Sequence, residues 1–287
     1  MDTREMRNLL ATGSAFVDLR DWRKIAVYGS DARAWLNDLV SADVSDVAAG
    51  QARPSLLLSP TGGIRAAFTV APLADGLLLL QDPAQRSSVQ TLLTPYVLSS
   101  DVTLEDRSDA LAIFAFPGRA STPGAAGTFS VPSCTGAGGD LLAPGEDLEA
   151  VRRALSGDFT DAPPDALEVW RVTAGIPRLG VDALPDDLPF EGGMGEAVAV
   201  DKGCYLGQEA VAKVRNLGHP RRLVLHLAGN GEVSPGEVVE SGDRPVGEVT
   251  SAWADGGRSL LLARVRWDGR EGALRTAAGV ALTSATR

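Results

Sequence analysis

Cysteine and histidine are scarce in this chain, with two of each among 287 residues. Cys134 and Cys204 are far apart in sequence and do not make the framework of a disulfide-stapled secreted domain. Neither they nor His219 and His226 fall at metal-ligand spacing, so the sequence offers no zinc site and no Cys–His nucleophile pair. An iron–sulfur cluster held by this chain alone would need several cysteines. Long apolar runs are also missing. No stretch approaches about eighteen apolar residues, so no membrane span is expected. The polar, mixed-charge start Met1–Asn8 lacks the apolar core of a signal peptide. These absences point to the cytoplasm and to reduced thiols. Basic residues are outnumbered 27 to 37, giving a formal net charge of −10. Such a surface repels phosphate backbones, so neither nucleic acid nor a membrane is an expected partner. The glycine-rich stretch Gly136–Gly139 lacks the Lys-Ser/Thr of a phosphate loop.

What is present reads as a globular chain long enough for two or three packed units. Ala15–Arg20 and Lys24–Tyr28 predict strands. Gly29-Ser30-Asp31 opens a helix with Trp35, Leu36 and Leu39 on one face. Ser55–Ser59 and Ile64–Val70 flank the turn Pro60-Thr61-Gly62-Gly63, a hairpin signal. Leu77–Leu80 predicts a further strand. Asp82-Pro83 reads as a helix start, followed by the stripe Val89, Leu92, Leu93, Tyr96 and Val97. Leu111–Phe116 begins a second unit, and 118–139 reads as loop around at most one strand. Leu148–Leu155 and a segment from Pro163-Pro164-Asp165 to Gly175 predict helices. Residues 176–200 are rich in proline and glycine and predict a long ordered loop of the kind that lines sites. Beyond Gly218, the short strands Arg222–Leu227, Val246–Ser251, Leu260–Arg266 and Val280–Thr283 predict a small all-β domain.

The densest signal is Asp201-Lys-Gly-Cys-Tyr-Leu-Gly-Gln-Glu-Ala210. Two glycines bracket Cys204 and Tyr205, permitting tight backbone geometry and close approach by a ligand. Gly207 precedes a predicted helix, Gln208–Val214, which puts Cys204 just before a helix N-terminus, where the dipole favours a thiolate. Lys202 is placed to add positive charge, and Glu209 to cap the helix. A buried structural cysteine is the plain alternative, but a dry core has no use for the adjacent Gln208 and Glu209.

This stretch resembles the K-G-C-[YF]-x-G-Q-E signature of the YgfZ family of folate-binding proteins, relatives of the glycine-cleavage aminomethyltransferase. Lys202-Gly203-Cys204-Tyr205-Leu206-Gly207-Gln208-Glu209 matches throughout. Arg171 with Ala174-Gly175-Ile176-Pro177-Arg178 is similar to a second family stretch, as are Ala212–Asn216 and Arg221-Arg222. Val27–Ala32 and Leu58–Ile64 are weaker landmarks. The resemblance implies an α+β fold with aminomethyltransferase-like folate-binding domains in a three-domain cloverleaf and a C-terminal β-barrel. On that reading, residues 1–108 form an N-terminal folate-binding lobe, completed by part of 165–217, and 109–164 form a second α+β lobe. Residues 165–217 carry the folate pocket and the cysteine motif, and 218–287 the barrel.

The resemblance also implies a cofactor, tetrahydrofolate or a related reduced folate, and iron–sulfur proteins or their assembly machinery as partners. Cys204 and Lys202 become the candidates for chemistry. Pro189–Gly195 is similar to the aminomethyltransferase segment whose glutamate holds the pterin, which assigns that role to Glu191. A carboxylate can accept the pterin N3–H and 2-amino group together, in the fork geometry it uses with arginine. Arg171, Arg178, Arg221 and Arg222 are candidates for the folate carboxylates, and Tyr205, Gln208 and Glu209 for further folate contacts. One departure matters. Aminomethyltransferases carry an acid in the strand after the hairpin, whereas here Ile64–Thr69 has none, so glycine-cleavage activity is not expected. Three readings follow: a folate-binding accessory factor for iron–sulfur enzymes using Cys204, a one-carbon transferase on an unknown substrate, or a folate-binding regulatory module.

Overall fold

The computed structural model describes residues 2–124 and 127–285. Its elements begin with α1 (Thr3–Ala11), β1 (Ala15–Asp18), β2 (Arg23–Tyr28), α2 (Ala32–Leu39), β3 (Arg53–Leu58), β4 (Ile64–Leu73), β5 (Gly76–Gln81), α3 (Val89–Leu93) and β6 (Thr103–Asp106). They continue with β7 (Leu111–Phe116), β8 (Phe129–Pro132), β9 (Gly139–Pro144), α4 (Leu148–Leu155), β10 (Thr160–Ala162), α5 (Pro164–Ala174) and α6 (Gln208–Leu217). The chain closes with β11 (Arg222–Gly229), β12 (Val238–Ser241), β13 (Arg244–Asp255), β14 (Arg258–Arg266), β15 (Leu274–Thr276) and β16 (Ala281–Ser284). Two compact units result. One comprises Met1–Ser59, Arg65–Leu167 and Glu196–Leu206, and the other Pro60–Ile64, Glu168–Gly195 and Gly207–Arg287.

The first unit holds two five-stranded sheets. In the order β3-β4-β5-β2-β6, one face packs under α2 and α3 through Ile25, Val27, Trp35, Leu36, Leu77, Leu79, Val89 and Leu93. The alternation of Ile25 and Val27 along β2 and of Leu77 and Leu79 along β5 is what a half-covered antiparallel sheet requires. Each such side chain contributes about 2 kcal/mol of burial. The second sheet runs β10-β1-β7-β9-β8. Phe16, Phe114 and Phe116 fill its core with Val151 and Leu155 of α4, and Phe16 meets Phe114 edge-on at 5.7 Å. β1 thus sits between a parallel partner from residues 160–162 and an antiparallel partner from residues 114–115.

One predicted start is corrected. Asp82-Pro83 opens no helix. Asp82 instead accepts the N–H of Ala84 at 2.8 Å in a tight turn. The Arg23 guanidinium gathers the carbonyls of Pro83 and Gln85 at 3.1 and 3.0 Å, diverting them from any helical ladder. The helix starts later, at Val89, with Ser88 as its cap, and the predicted stripe still faces the core.

The second unit contains a closed six-stranded barrel, β11-β14-β13-β12-β15-β16. Along β14, Leu261, Ala263 and Val265 fill the barrel, which leaves Leu262, Arg264 and Arg266 on its outer face. Strand β13 carries a register shift between Val249 and Ser251. Such a bulge re-aims neighbouring side chains, and here both Thr250 and Ser251 hydrogen-bond the same residue, Asp182, in the segment before the barrel. No helix among the described residues is long and apolar enough to cross a membrane.

Candidate functional site

In the second unit, α5 ends where Gly175 turns left-handed at φ +71°. A β-carbon there would lie 2.5 Å from the His226 ring, so the turn and the packing both call for glycine. The segment that follows is almost without regular structure and is held by one buried network. Arg171, 6% exposed, donates to both Glu168 oxygens at 2.7 and 2.5 Å, to Ile176 O at 3.0 Å, to Asp182 at 2.7 Å and to Ser251 Oγ at 2.9 Å. Asp182 is fully buried and also accepts from Thr250, Ser251 and the Arg178 N–H at 2.5, 2.7 and 3.0 Å. A buried charge pair stands only when its remaining donors and acceptors are satisfied, and this one is, on both sides.

The Arg171 guanidinium is thereby engaged in fastening the loop. Arg178 turns its guanidinium towards Glu168 as well, at 3.5 Å.

The loop then meets the hairpin tip. Ile64 N donates to Asp187 O at 2.9 Å, and Asp186 N donates to Ile64 O at 3.0 Å. Asp186 adopts φ +69° to allow it. Ile64, the last residue of the landmark Leu58–Ile64, is thereby joined to the segment bearing Glu191. Glu191 is 8% exposed. One carboxylate oxygen accepts the Arg221 N–H at 2.9 Å and the other the Leu188 N–H at 3.3 Å. Two backbone donors therefore fix the plane of the carboxylate while each oxygen keeps acceptor capacity. Gly192 lets the chain pass close by: a β-carbon there would meet Ala183 at 2.9 Å and Ile64 at 3.2 Å.

In the first unit, residues 196–206 lie against the end of α2 and the segment that follows it. Ser41 Oγ donates to Ala197 O at 2.6 Å, and Ala199 N to Ser41 O at 2.9 Å. Lys202 sends its ammonium to the carbonyls of Asn37, Val40 and Ala42 at 2.5, 2.8 and 2.7 Å. These lie at and beyond the C-terminal turn of α2, where free carbonyls and the helix dipole both favour a cation. Burial pushes this ammonium down to about 8, against the pull of Asp43 and Asp38. Tyr205 is buried with Lys202 Nζ 5.3 Å from its ring centre, and Leu206 packs on the core of the same unit.

Lys202, Tyr205 and Leu206 thus point inward, and the residue left outward is Cys204, which is exposed and free. The Lys202 ammonium is engaged by three carbonyls, which account for its three donors. Cys204 precedes α6, whose N-cap is Gly207 at φ +81°. Gln208 is the first residue of that helix, half-buried, and Glu209 sits exposed in its first turn.

Arg221 meets Glu191 through its backbone, and Arg222 lies on the outer face of the barrel beside Arg264 and Arg266. Glu168, Asp182, Ser251 and Asp187 are structural partners that sequence reasoning missed, because each is recognised only through residues distant in the chain. Among the described residues, no group of three or more His, Cys, Asp or Glu side chains could hold a metal ion.

The profile of the GCVT N-terminal domain matches residues 3–123. The chain is 27% identical to an aminomethyltransferase of Lysinibacillus sphaericus over 271 residues, 82% of this chain and 73% of that one. It is 22% identical to a putative chloroplastic transferase of Arabidopsis thaliana, covering 83% of this chain and 62% of the relative. The glycine cleavage system aminomethyltransferase T of Bartonella henselae superposes with a TM-score of 0.84 at 20% identity, covering 99% of this chain and 88% of that one. The fold is therefore the α+β, barrel-closed fold seen in that aminomethyltransferase T.

Proposed function

We propose that this protein binds a reduced folate through Glu191 and acts as an accessory factor in assembling or repairing iron–sulfur enzymes, with Cys204 in transient thiol or cluster chemistry. The observation that carries the folate reading is the Glu191 carboxylate, buried, held by two backbone N–H groups and still able to accept from a pterin edge. When bound, folate would supply one-carbon or pterin chemistry. The chain's own part is to present Glu191, to offer Arg178 and Arg221 towards the folate carboxylates, and to display Cys204. The accessory role rests on the match of Lys202–Glu209 to the YgfZ signature and on a fixed loop that turns only the thiol outward.

A second reading, a folate-dependent one-carbon transferase, is favoured by the names of the relatives, many of them aminomethyltransferases. Against glycine-cleavage chemistry stands β4, whose sequence Ile64-Arg-Ala-Ala-Phe-Thr69 brings no acid. The test is a deletion strain complemented with wild type, C204A or E191Q, in which iron–sulfur enzyme activities are assayed. The accessory reading expects failure of C204A. Full rescue by C204A, together with turnover in a reconstituted glycine-cleavage assay, would replace it with the transferase.

A further inference from the structure

A cavity of about 570 Å³ opens on the outer face of the barrel, within the second unit. Its cationic wall is Arg222, Arg264 and Arg266, its apolar wall includes Val181 and Leu184, and Glu248 stands at its rim. Arg222 and Arg266 are direct cross-strand partners of β11 and β14. Like charges directly opposite each other destabilise a sheet. Arg266 is drawn aside to Pro245 O at 2.8 Å and towards Asp268 at 3.7 Å, while Arg222 has no ion-pair partner among the described residues. Arg264 is anchored through Nη2 to Asp187 at 2.8 Å, with its side chain 9% exposed. Its Nη1 is buried and has no acceptor among the described residues. Leu184 and Val181 remain 42% and 36% exposed.

From this we infer that the cavity is a binding site for an amphipathic carboxylate, a small organic monoanion with an alkyl or aryl body, separate from the folate site. Guanidinium groups on adjacent strands suit the planar fork of a carboxylate. The apolar wall takes the body of the ligand, as in other small-molecule pockets. Glu248, across the strand pair from Arg264, disfavours a doubly charged phosphate. Glu191 does not line this cavity; Arg222 is also a candidate for the folate carboxylates, and competition by tetrahydrofolate separates the two readings.

The test is titration calorimetry of the full-length protein with octanoate, alongside inorganic phosphate and octylammonium. Octanoate is expected to bind saturably at one site, with phosphate and octylammonium far weaker. R222Q should weaken octanoate about ten-fold, the scale of one charge-assisted hydrogen bond, and E248Q should tighten it. Both substitutions are at exposed positions, so loss of folding does not cloud the result. The inference is overturned if octanoate does not saturate, if R222Q leaves it unchanged, or if phosphate binds as well as octanoate. It is also overturned if tetrahydrofolate displaces octanoate, since the cavity would then be part of the folate site.

Discussion

At the scale of single residues, the two cysteines are placed to behave differently. Cys204 is exposed, while the Cys134 thiol pairs with the buried carboxylate of Asp140. Burial first, and then the negative Asp140, push the Cys134 thiol well above its ordinary range. In native protein at pH 8, a thiol reagent such as Ellman's should therefore titrate Cys204 quickly and Cys134, part-exposed but with its thiolate disfavoured, more slowly. Two equally fast thiols would contradict the placement. Asp140 itself is fully buried, accepting from Ser133 Oγ at 2.6 Å and Cys134 N at 2.7 Å. Burial outweighs these donors and raises it from 3.8 to about 6. The folded state then holds the proton more tightly than the unfolded chain. Its contribution to stability is complete below about pH 4 and is lost as the pH rises through about 6, an effect of about 3 kcal/mol. D140N should flatten the profile of urea-unfolding stability between pH 4 and 7; an unchanged slope would show that Asp140 does not titrate in that window.

At the scale of elements, the cysteine motif works as a clamp. Lys202 closes the C-terminal turn of α2, Tyr205 and Leu206 enter the interior, and Cys204 is what remains outside. K202M should leave three carbonyls without their donor, cost about 2 kcal/mol, and make 200–206 a new site of limited proteolysis. A variant as protease-resistant as wild type would mean that Tyr205 and Leu206 hold the loop alone. The residues of this clamp were legible as a motif, but the direction of Lys202 was not, because its acceptors lie 160 to 165 residues earlier. The same limit hid the Arg171–Asp182–Ser251 network, whose members meet across 80 and 69 residues. Signals contained within a few residues read correctly: Gly175 ends α5, and Gly207 caps α6. Asp82-Pro83 misled because a distant arginine, Arg23, captures the carbonyls a helix would have used. The strands β6, β12 and β15, of three or four residues each, were too short to leave a pattern.

At the scale of the whole molecule, the mix of helix and strand and an all-β C-terminal domain were legible from the switch between helical stripes and short alternating strands, whereas closure of that domain into a barrel was implied only by the family resemblance. The insertion of β1 beside β7 and β10 was not, since nothing local to Ala15–Asp18 names its partners. The residues of the proposed function lie where the fold has little regular structure: the segment between α5 and α6 carries both Glu191 and Cys204. Each is fixed by bonds within its own unit, Glu191 by Leu188 and Arg221 and the Cys204 loop by Lys202. A carboxylate held in place in advance lowers the cost of binding a ligand that it accepts from.

The most direct measurement is therefore calorimetric titration of wild type and E191Q with tetrahydrofolate. A glutamine keeps the shape but can no longer accept two hydrogen bonds with a negative charge. The account predicts saturable binding by wild type and a loss of about 1.5–3 kcal/mol in E191Q, roughly ten- to a hundred-fold in Kd. Equal affinity in the two proteins, or no binding by wild type, would contradict it.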